Sequence, residues 1–399
     1  MLSLKAKKIL LRPDKNKTSF PLSVIEVHHH TFAYGATHAL SEYLLQNAKD
    51  FTFVEHPFMH HKFHPSTIRF FYQGSQITSK KTPAIRAPET ILFLYNIITT
   101  CYLVLKTRRK FDLFFGADPL NAFAGILLRA LGRVRKVVFY VIDYTPKRFS
   151  NTLKNKAYQL LLEVVAKHVD SIWAISEIIA RECRVMGAAS ERVLVVPSGA
   201  CWRKELQMSN RKGNALVFLG HLVESKGLQL AIEAIQLVKL EIPDIRLTVI
   251  GTGPYENELK SLVCKLGLNS QIEFLGYVKN HSDILDILAQ SDIGIAPYVP
   301  SKESITTYAD PAKIKEYLGS GLAVIVTCVP MVASEISKKQ AGITINYSRE
   351  ELAKAIIALL KDEKLLLAYK KNALAMAHDF TWDQIFELAI ARTLNFCSL

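Results

Sequence analysis

The sequence is poor in the residues that mark secreted, fibrous or metal-stapled proteins. Six cysteines (Cys101, Cys183, Cys201, Cys264, Cys328, Cys397) are scattered along 399 residues with no C-x-x-C pair. Neither a zinc ribbon nor a dense disulfide framework is indicated, and a reducing cytosol suits the chain best. With 18 Gly and 15 Pro there is no collagen-like or low-complexity bias, and 49% hydrophobic residues are too many for a disordered chain. The basic start, 1–17, runs into Arg12-Pro13-Asp14 without an apolar stretch and cleavage site, so it does not read as a secretory signal. The most apolar run, 90–105, stops at Lys106 and contains Asn96, Thr99 and Thr100. It falls short of the about 20 apolar residues that span a bilayer, and is expected as a buried helix.

An acidic excess is also missing. The chain has 50 Lys+Arg against 36 Asp+Glu, a net charge of +14. Residues 1–200 hold 28 of the basic and 14 of the acidic residues, so 22 of each remain for 201–399 and the whole excess lies in the first half. Its clusters are Lys5-Lys7-Lys8, Lys80-Lys81, Arg108-Arg109-Lys110, Arg133-Arg135-Lys136 and Lys147-Arg148. Such a field attracts phosphate-bearing partners: an anionic membrane, an acidic ligand or nucleic acid. No RNP, KH or zinc-finger pattern supports nucleic acid, so none is expected.

What is present is an alternation of short β-branched runs with helical patterns, the mark of βαβ units around parallel sheets. In the first half, 23–27, 113–115, 137–142, 172–175 and 193–196 read as strands, with helices at 36–46, 121–131, 153–169 and 177–186. In the second half, strands at 215–219, 246–250, 272–275, 293–296 and 323–327 alternate with helices at 228–240, 256–266, 282–290 and 312–319. Two Rossmann-like, doubly wound domains follow, with 198–214 as linker. Ligands sit beyond the carboxyl ends of such strands, so a site in a central cleft between facing domains is expected. Neither half carries the G-x-G-x-x-G dinucleotide fingerprint; Gly251-Thr252-Gly253-Pro254 comes nearest.

Two segments concentrate chemistry. In Tyr308-Ala309-Asp310-Pro311-Ala312-Lys313-Ile314-Lys315-Glu316-Tyr317-Leu318, Asp310 reads as an N-cap and Pro311 as the first helical residue. Lys313 and Glu316 then share a helix face while Ile314, Tyr317 and Leu318 pack inward. A cation at a helix start with a carboxylate one turn on suits a ligand carrying phosphates and sugar hydroxyls; a solvated surface pair is the plain alternative. In Leu219-Gly220-His221-Leu222-Val223-Glu224-Ser225-Lys226-Gly227, a buried strand ends at Gly220, and His221 and Lys226 bring positive charge that a departing diphosphate needs. An ordinary βα loop with a solvated lysine is the alternative there.

Five segments occur in order: Phe218-Leu219-Gly220-His221 with Lys226-Gly227, Val249-Ile250-Gly251-Thr252-Gly253-Pro254, Phe274-Leu275-Gly276-Tyr277-Val278, Ser291-Asp292-Ile293-Gly294-Ile295-Ala296-Pro297-Tyr298, and Lys313-x-x-Glu316-Tyr317-Leu318-x-x-Gly321. In this order they resemble glycosyltransferases of the group 1, family-four type. The resemblance covers about 193–390. It implies an α/β GT-B fold: an acceptor domain at 1–200, a nucleotide-sugar domain at 201–378, and a C-terminal helix at 379–399 packing back toward the first domain.

It also implies transfer from a nucleoside-diphosphate-sugar to a glycan or lipid-linked acceptor with retention of configuration, by an enzyme of polysaccharide and cell-envelope biosynthesis. The sugar nucleotide is a co-substrate; no cofactor or metal is implied, and no Asp-x-Asp motif is present. Glu316 would accept ribose hydroxyls, Lys226 would bind the diphosphate, Tyr277 and Val278 would lie beside the base, and Gly220, Gly253 and Pro254 would border the pocket. Asp310, Lys313 and Tyr308 complete the donor set, although Tyr308 stands where the family often has a first glutamate, and His221 where it usually has arginine. A non-catalytic GT-B scaffold binding a nucleotide-sugar or polyanionic glycan is the alternative reading.

In the first half, Gly35 would allow the donor phosphates to approach the backbone. His30, Tyr34 and His38 are acceptor candidates: the histidines of His28-His29-His30 alternate faces on an extended segment, which suits sugar recognition better than metal. Asp143 is the candidate to orient or deprotonate the acceptor hydroxyl, or else a turn cap, and Arg148 could meet an acceptor phosphate. Asp118 reads as the N-cap of the next helix. Location is expected to be cytoplasmic, peripheral at the inner face of an anionic membrane.

Overall fold

The computed structural model describes residues 20–30, 34–57, 65–202, 213–300 and 310–395. One sheet has eight strands in the order β4-β3-β2-β1-β5-β6-β7-β8. They are β1 (Phe20–His29), β2 (Ala48–His56), β3 (Thr67–Tyr72), β4 (Ser75–Lys81), β5 (Phe111–Gly116), β6 (Val134–Val141), β7 (Ser171–Ala174) and β8 (Val193–Val195). β1, whose Val24, Ile25 and Val27 are buried, is parallel to both β2 and β5. β2 and the strands β3 and β4, which extend the sheet from it by antiparallel pairing, were not anticipated from the sequence. β2 follows helix α1 (Ala36–Asn47) without a loop, and every residue of β4 is exposed, so neither shows a burial alternation. The β3–β4 turn places Gln73 at φ 46° and Gly74 at φ 76°, the two left-handed positions of a tight hairpin.

The other sheet is wholly parallel, with the order β11-β10-β9-β12-β13-β14. Its strands are β9 (Ala215–Leu219), β10 (Arg246–Ile250), β11 (Ile272–Gly276), β12 (Ile293–Ala296), β13 (Ala323–Thr327) and β14 (Gly342–Ile345). The alternation read from this half holds, because the central strands β9, β12 and β13 are short apolar runs buried almost throughout, while the edge strand β11 is largely half-buried or exposed. Chain order reverses between β9 and β12, which opens a crevice at their carboxyl ends where a doubly wound sheet binds ligands.

The helices after α1 are α2 (Glu89–Thr107), α3 (Pro119–Ala130), α4 (Thr152–His168), α5 (Glu177–Val185), α6 (Leu228–Glu241), α7 (Glu256–Lys265), α8 (His281–Ala289), α9 (Ala312–Gly319), α10 (Val332–Lys338), α11 (Arg349–Lys361), α12 (Glu363–His378) and α13 (Trp382–Asn395). By contacts the chain forms two compact units. One takes in β1, Thr37–Tyr140 and His168–Ser171; the other takes in Tyr34–Ala36, Val141–Lys167 and the described residues from Ile172 onward.

Within the second unit, α13 packs on β7: Trp173 stacks on Phe386 and its indole N–H donates to Thr393 Oγ1 at 2.9 Å. Ala200 bridges to Thr381 and Gly199 lies against the Trp382 ring, which ties the start of the expected linker to this helix. Its continuation, 203–212, lies outside the described residues.

One expectation is overturned. α2 is not a buried helix: Asn96, Thr99, Thr100, Leu103 and Val104 face inward, while Ile91, Leu94, Ile98, Tyr102 and Leu105 are exposed. The inward face combines the hydrogen bonds of Asn96 and Thr100, described below, with the buried side chains of Leu103 and Val104.

Candidate active site

At the carboxyl end of β9 the backbone turns through Gly220, and two βα loops are laced together there. Gly220 N–H donates to Ile250 O at 2.9 Å, Leu222 N–H to Thr252 O at 3.0 Å, and Tyr255 N–H to Leu222 O at 3.1 Å. Gly251 has φ 129°, and a Cβ on it would stand 2.0 Å from Gly220 O, so a side chain there would separate the loops. Gly253 meets Leu222 as closely, with Pro254 at the turn that follows. His221 is exposed and its Nδ1 lies 2.7 Å from Thr252 O. A carbonyl only accepts, so Nδ1 carries the proton and Nε2 is left as an acceptor in the neutral ring.

Lys226 ends a short 3-10 turn and is followed by Gly227 at φ 74°, where a Cβ would meet Pro297 O at 1.7 Å. This contact draws the Lys226 loop onto the end of β12. Lys226 Nζ then lies 5.2 Å from the centre of the Tyr298 ring, and Lys313 Nζ, from the first turn of α9, lies 5.1 Å from the same ring and 3.9 Å over Phe218. The Lys313 ammonium is fully enclosed and has no hydrogen-bond partner. Burial holds its pKa well below the usual lysine value, and the neighbouring Lys226 pushes it the same way; burial also lowers Lys226. A Cβ on Gly220 would come within 3.1 Å of Lys313 Nζ. Two cations and a bare stretch of backbone thus meet at the switch point of the sheet. The solvated-pair reading of Lys313 and Glu316 does not hold.

Glu316 is buried one turn along α9. One of its oxygens lies 3.3 Å from His281 Nε2, without hydrogen-bond geometry, and the other has no partner. His281, the first residue of α8, stacks on Tyr34 with centroids 3.8 Å apart and planes 5° apart. Cys201, His281 and Glu316 bring a sulfur, a ring nitrogen and a carboxylate oxygen within 4.8 Å of one another, ligand types that suit zinc. The expectation of no metal weighed the histidines near residue 30, the lack of an Asp-x-Asp motif and the family resemblance, and did not consider this trio. Ile314, Tyr317 and Leu318 pack inward as read, and the Tyr317 hydroxyl accepts from Leu219 N–H at 2.8 Å, pinning α9 to β9.

Asp310 departs from its expected role as helix cap. Its carboxylate accepts from Ser198 N–H at 2.9 Å and lies 3.6 Å from Lys315 Nζ, and Pro311 occupies the cap position of α9. Burial raises the Asp310 pKa while Lys315 and the Ser198 N–H pull it back. Its partners make it an anchor between the 198 segment and α9. Tyr277 is half exposed and Val278 packs against the core below it. Gly35 has open space where a side chain would stand. Tyr308 lies outside the described residues.

The remaining candidates are engaged elsewhere. Asp143 accepts from the Arg148 guanidinium at 2.9 Å, so the two pair with each other. His30 and His38 belong to the first unit. There His30 Nδ1 lies 2.8 Å from Glu55, His28 Nδ1 3.2 Å from Glu26, and the His38 ring 6.0 Å from that of His28. His29 Nδ1 meets Asp118 Oδ2 at 2.7 Å, and Asn96 of α2 approaches its Nε2 at 3.2 Å. Asp118 also caps α3 by accepting from Asn121 N–H at 2.9 Å, as read from sequence. His56 is held between Ser66 at 2.8 Å and Thr100 of α2 at 2.7 Å, and burial pushes its pKa down to about 3.

Sequence reasoning quoted Phe218 and Tyr298 inside motifs without giving them the role of a lysine cradle, and passed over His281 and Cys201. His281 carries the one signal that was legible, its place just after Tyr277-Val278 at the opening of a helix.

A parallel sheet with an anion-ready crevice at its switch point, in a chain holding a second α/β sheet, is the make-up of the GT-B fold, and solved structures share that fold. HepE of Anabaena in complex with UDP and glucose superposes with TM-score 0.65 at 17% identity, covering 95% of this chain and 100% of that one. Sucrose-phosphate synthase of Thermosynechococcus elongatus gives TM-score 0.68 at 14% identity, with the same coverage. Residues 203–376 match the family of glycosyl transferases group 1, and residues 83–199 the glycosyl transferase 4-like domain. The chain belongs to the group 1 glycosyltransferases. WcaL of Escherichia coli (strain K12), a glycosyltransferase named for colanic acid biosynthesis, is 24% identical over 301 residues, 72% of this chain and 71% of that protein.

Proposed function

We propose that the enzyme transfers a sugar from a nucleoside-diphosphate-sugar to a glycan or lipid-linked acceptor with retention of anomeric configuration. The observation that carries the reading is the enclosed, hydrogen-bond-free amino group of Lys313 beside Lys226 and Gly220. Burial disfavours its charged form, and a diphosphate would supply the counter-charge that restores it. In this reading Lys226, Lys313 and the first N–H groups of α9 hold the diphosphate, and His221, whose Nδ1 proton is taken by Thr252 O, joins them only as the imidazolium, with a second proton on Nε2. Glu316 offers its unpartnered oxygen to the ribose, and Tyr277 and Val278 border the base. The complex of HepE with UDP and glucose makes UDP-sugars the first donors to try.

The bond between the anomeric carbon and the diphosphate oxygen breaks, a bond from the acceptor oxygen forms on the same face, and the acceptor proton passes to the departing phosphate oxygen. No separate base is then needed, in keeping with Asp143 being paired to Arg148. Charge on the leaving group grows toward the transition state, so Lys226→Ala depresses turnover more than donor binding. The transfer runs without metal, and the basic first half holds the enzyme at an anionic membrane on the cytoplasmic side, where a lipid-linked acceptor lies.

The test is a panel of UDP-, GDP-, ADP- and dTDP-sugars, followed for slow release of the free nucleotide, with the anomeric configuration of the product read by NMR. Release from one donor and a retained anomer support the reading. Binding without release from any donor would favour a non-catalytic scaffold.

A further inference from the structure

α2 turns apolar residues both inward and outward. Its inward face carries Leu103 and Val104 together with Asn96, Thr99 and Thr100, and two of the polar residues are used: Thr100 Oγ1 lies 2.7 Å from His56 Nε2, and Asn96 Nδ2 lies 3.2 Å from His29 Nε2. Its outward face carries Ile91, Leu94, Ile98 and Tyr102, each more than half exposed, and Leu105. Spacings of three, four, four and three residues put all five on one side of a helix, in a stripe about 21 Å long. Single exposed apolar residues are ordinary, but a contiguous stripe of this length marks an interaction surface.

The stripe is framed by cations. Arg86 precedes the helix, and Lys106, Arg108 and Lys110 are exposed at its far end, where Arg133 donates to Arg108 O. The sole acid on the helix is Glu89, in its first turn. Lys106 Nζ lies 3.1 Å from the Tyr102 hydroxyl, which puts a polar rim on the apolar face.

We propose that this face of α2 lies in the headgroup region of an anionic bilayer, the stripe toward the acyl chains and the flanking cations on lipid phosphates. The inference deepens the membrane-associated reading above and rests on it. Charge chooses lipid over a protein partner, because protein interface cores are depleted of lysine whereas basic residues beside an apolar stripe complement anionic headgroups. A spanning orientation is excluded by the inward face: Asn96 and Thr100 are docked on His29 and His56, and leaving them would strand polar groups in lipid.

The test is sedimentation of the full chain with vesicles of phosphatidylcholine alone or with one quarter phosphatidylglycerol, for wild type, Leu94→Glu/Ile98→Glu and Lys106→Glu/Arg108→Glu/Lys110→Glu. All five positions are exposed, so unchanged thermal melts and UDP affinity are expected. Wild type is expected to bind the anionic vesicles, the apolar variant to lose at least tenfold in affinity, and the charge variant to lose the salt dependence. Tyr102→Trp is expected to shift its emission to the blue on those vesicles and to be quenched by lipid brominated on the acyl chain.

If the apolar variant binds as wild type does, or the tryptophan is not quenched, this face is not the contact, while membrane association stands. If wild type ignores anionic vesicles at low salt, both fall. A wild-type dimer without lipid that the apolar variant dissociates would assign the face to a second copy and overturn the proposal.

Discussion

Two buried polar clusters in this chain are made of similar parts and are completed to different degrees. Around His29 and His56, ring nitrogens meet Asp118, Asn96, Ser66 and Thr100 at hydrogen-bonding distances. Around Lys313 and Glu316, an ammonium and a carboxylate oxygen are enclosed with no hydrogen-bond partner. A satisfied network rigidifies a fold, whereas an unsatisfied one costs stability that only a ligand can return. By that criterion the His29–His56 pair is structural and the lysine cluster is a binding site, although histidines draw the eye first in the sequence and the neighbouring His28 keeps a buried Nε2 without a hydrogen-bond partner.

The largest effect that would break this contrast is at Lys313. Lys313→Met removes a buried, unpartnered amino group from the free protein, so its melting temperature is expected to stay or rise. Turnover is expected to fall by about 10²–10³-fold, the usual cost of losing one donor aimed at developing charge. Steady-state kinetics beside thermal melts check this; lower stability with normal turnover would make Lys313 a structural residue. Glu316→Gln comes next, with nucleotide binding weakened by about 1.5–3 kcal/mol, since the amide keeps the shape and loses the charge. Calorimetry with the nucleoside diphosphate reads it directly, and unchanged affinity would remove Glu316 from the site.

The histidine cluster gives the third prediction. His56 is held neutral, with its pKa pushed to about 3 in the fold by burial against 6.5 unfolded. The unfolded chain therefore binds more protons as pH falls below 6.5, and the fold loses stability between there and about pH 3. Moving from pH 7 to pH 5 is expected to cost on the order of 2 kcal/mol. Urea melts at both values check this, and His56→Gln flattens that part of the profile. The smallest effects concern Asp143 and metal. Asp143→Asn and dialysis against EDTA are each expected to change turnover less than threefold; a drop of a hundredfold in either would restore a dedicated base or a metal to the reaction.

The fold of the second half was legible because each of its strands is a short apolar run separated by amphipathic helices, and the five motifs fell on its loops. Their glycines mark real close approaches, as at Gly227 and Gly251. The β2–β4 hairpin region was not legible, because β4 faces solvent on both sides and has no burial pattern to read. α2 misled for a related reason: composition reports how apolar a helix is, but not which face it turns inward, and here Leu103 and Val104 go in with two side chains that bond histidines while five other apolar residues stay out.

Within the site, Lys226, Lys313 and Glu316 were visible from spacing. Phe218, Tyr298 and His281 were not, because aromatic rings in a motif look like core until a cation is seen above them. Asp310 was misread because its partners, Ser198 and Lys315, reach it from a distant segment and from the helix itself, displacing the cap expected of an aspartate before proline.

The most direct test of the central claim is proton exchange on nucleotide binding. Burial and Lys226 depress Lys313 in the free protein, and a diphosphate beside it would raise it again, so binding should take up a proton and affinity should fall as pH rises toward the ordinary lysine value. UDP binding is to be measured by calorimetry in two buffers of different ionisation enthalpy at about pH 8.5, below the reference lysine value. The account predicts net proton uptake by the wild type that Lys313→Met abolishes; binding with no proton exchange, or with the same uptake in the variant, would contradict it.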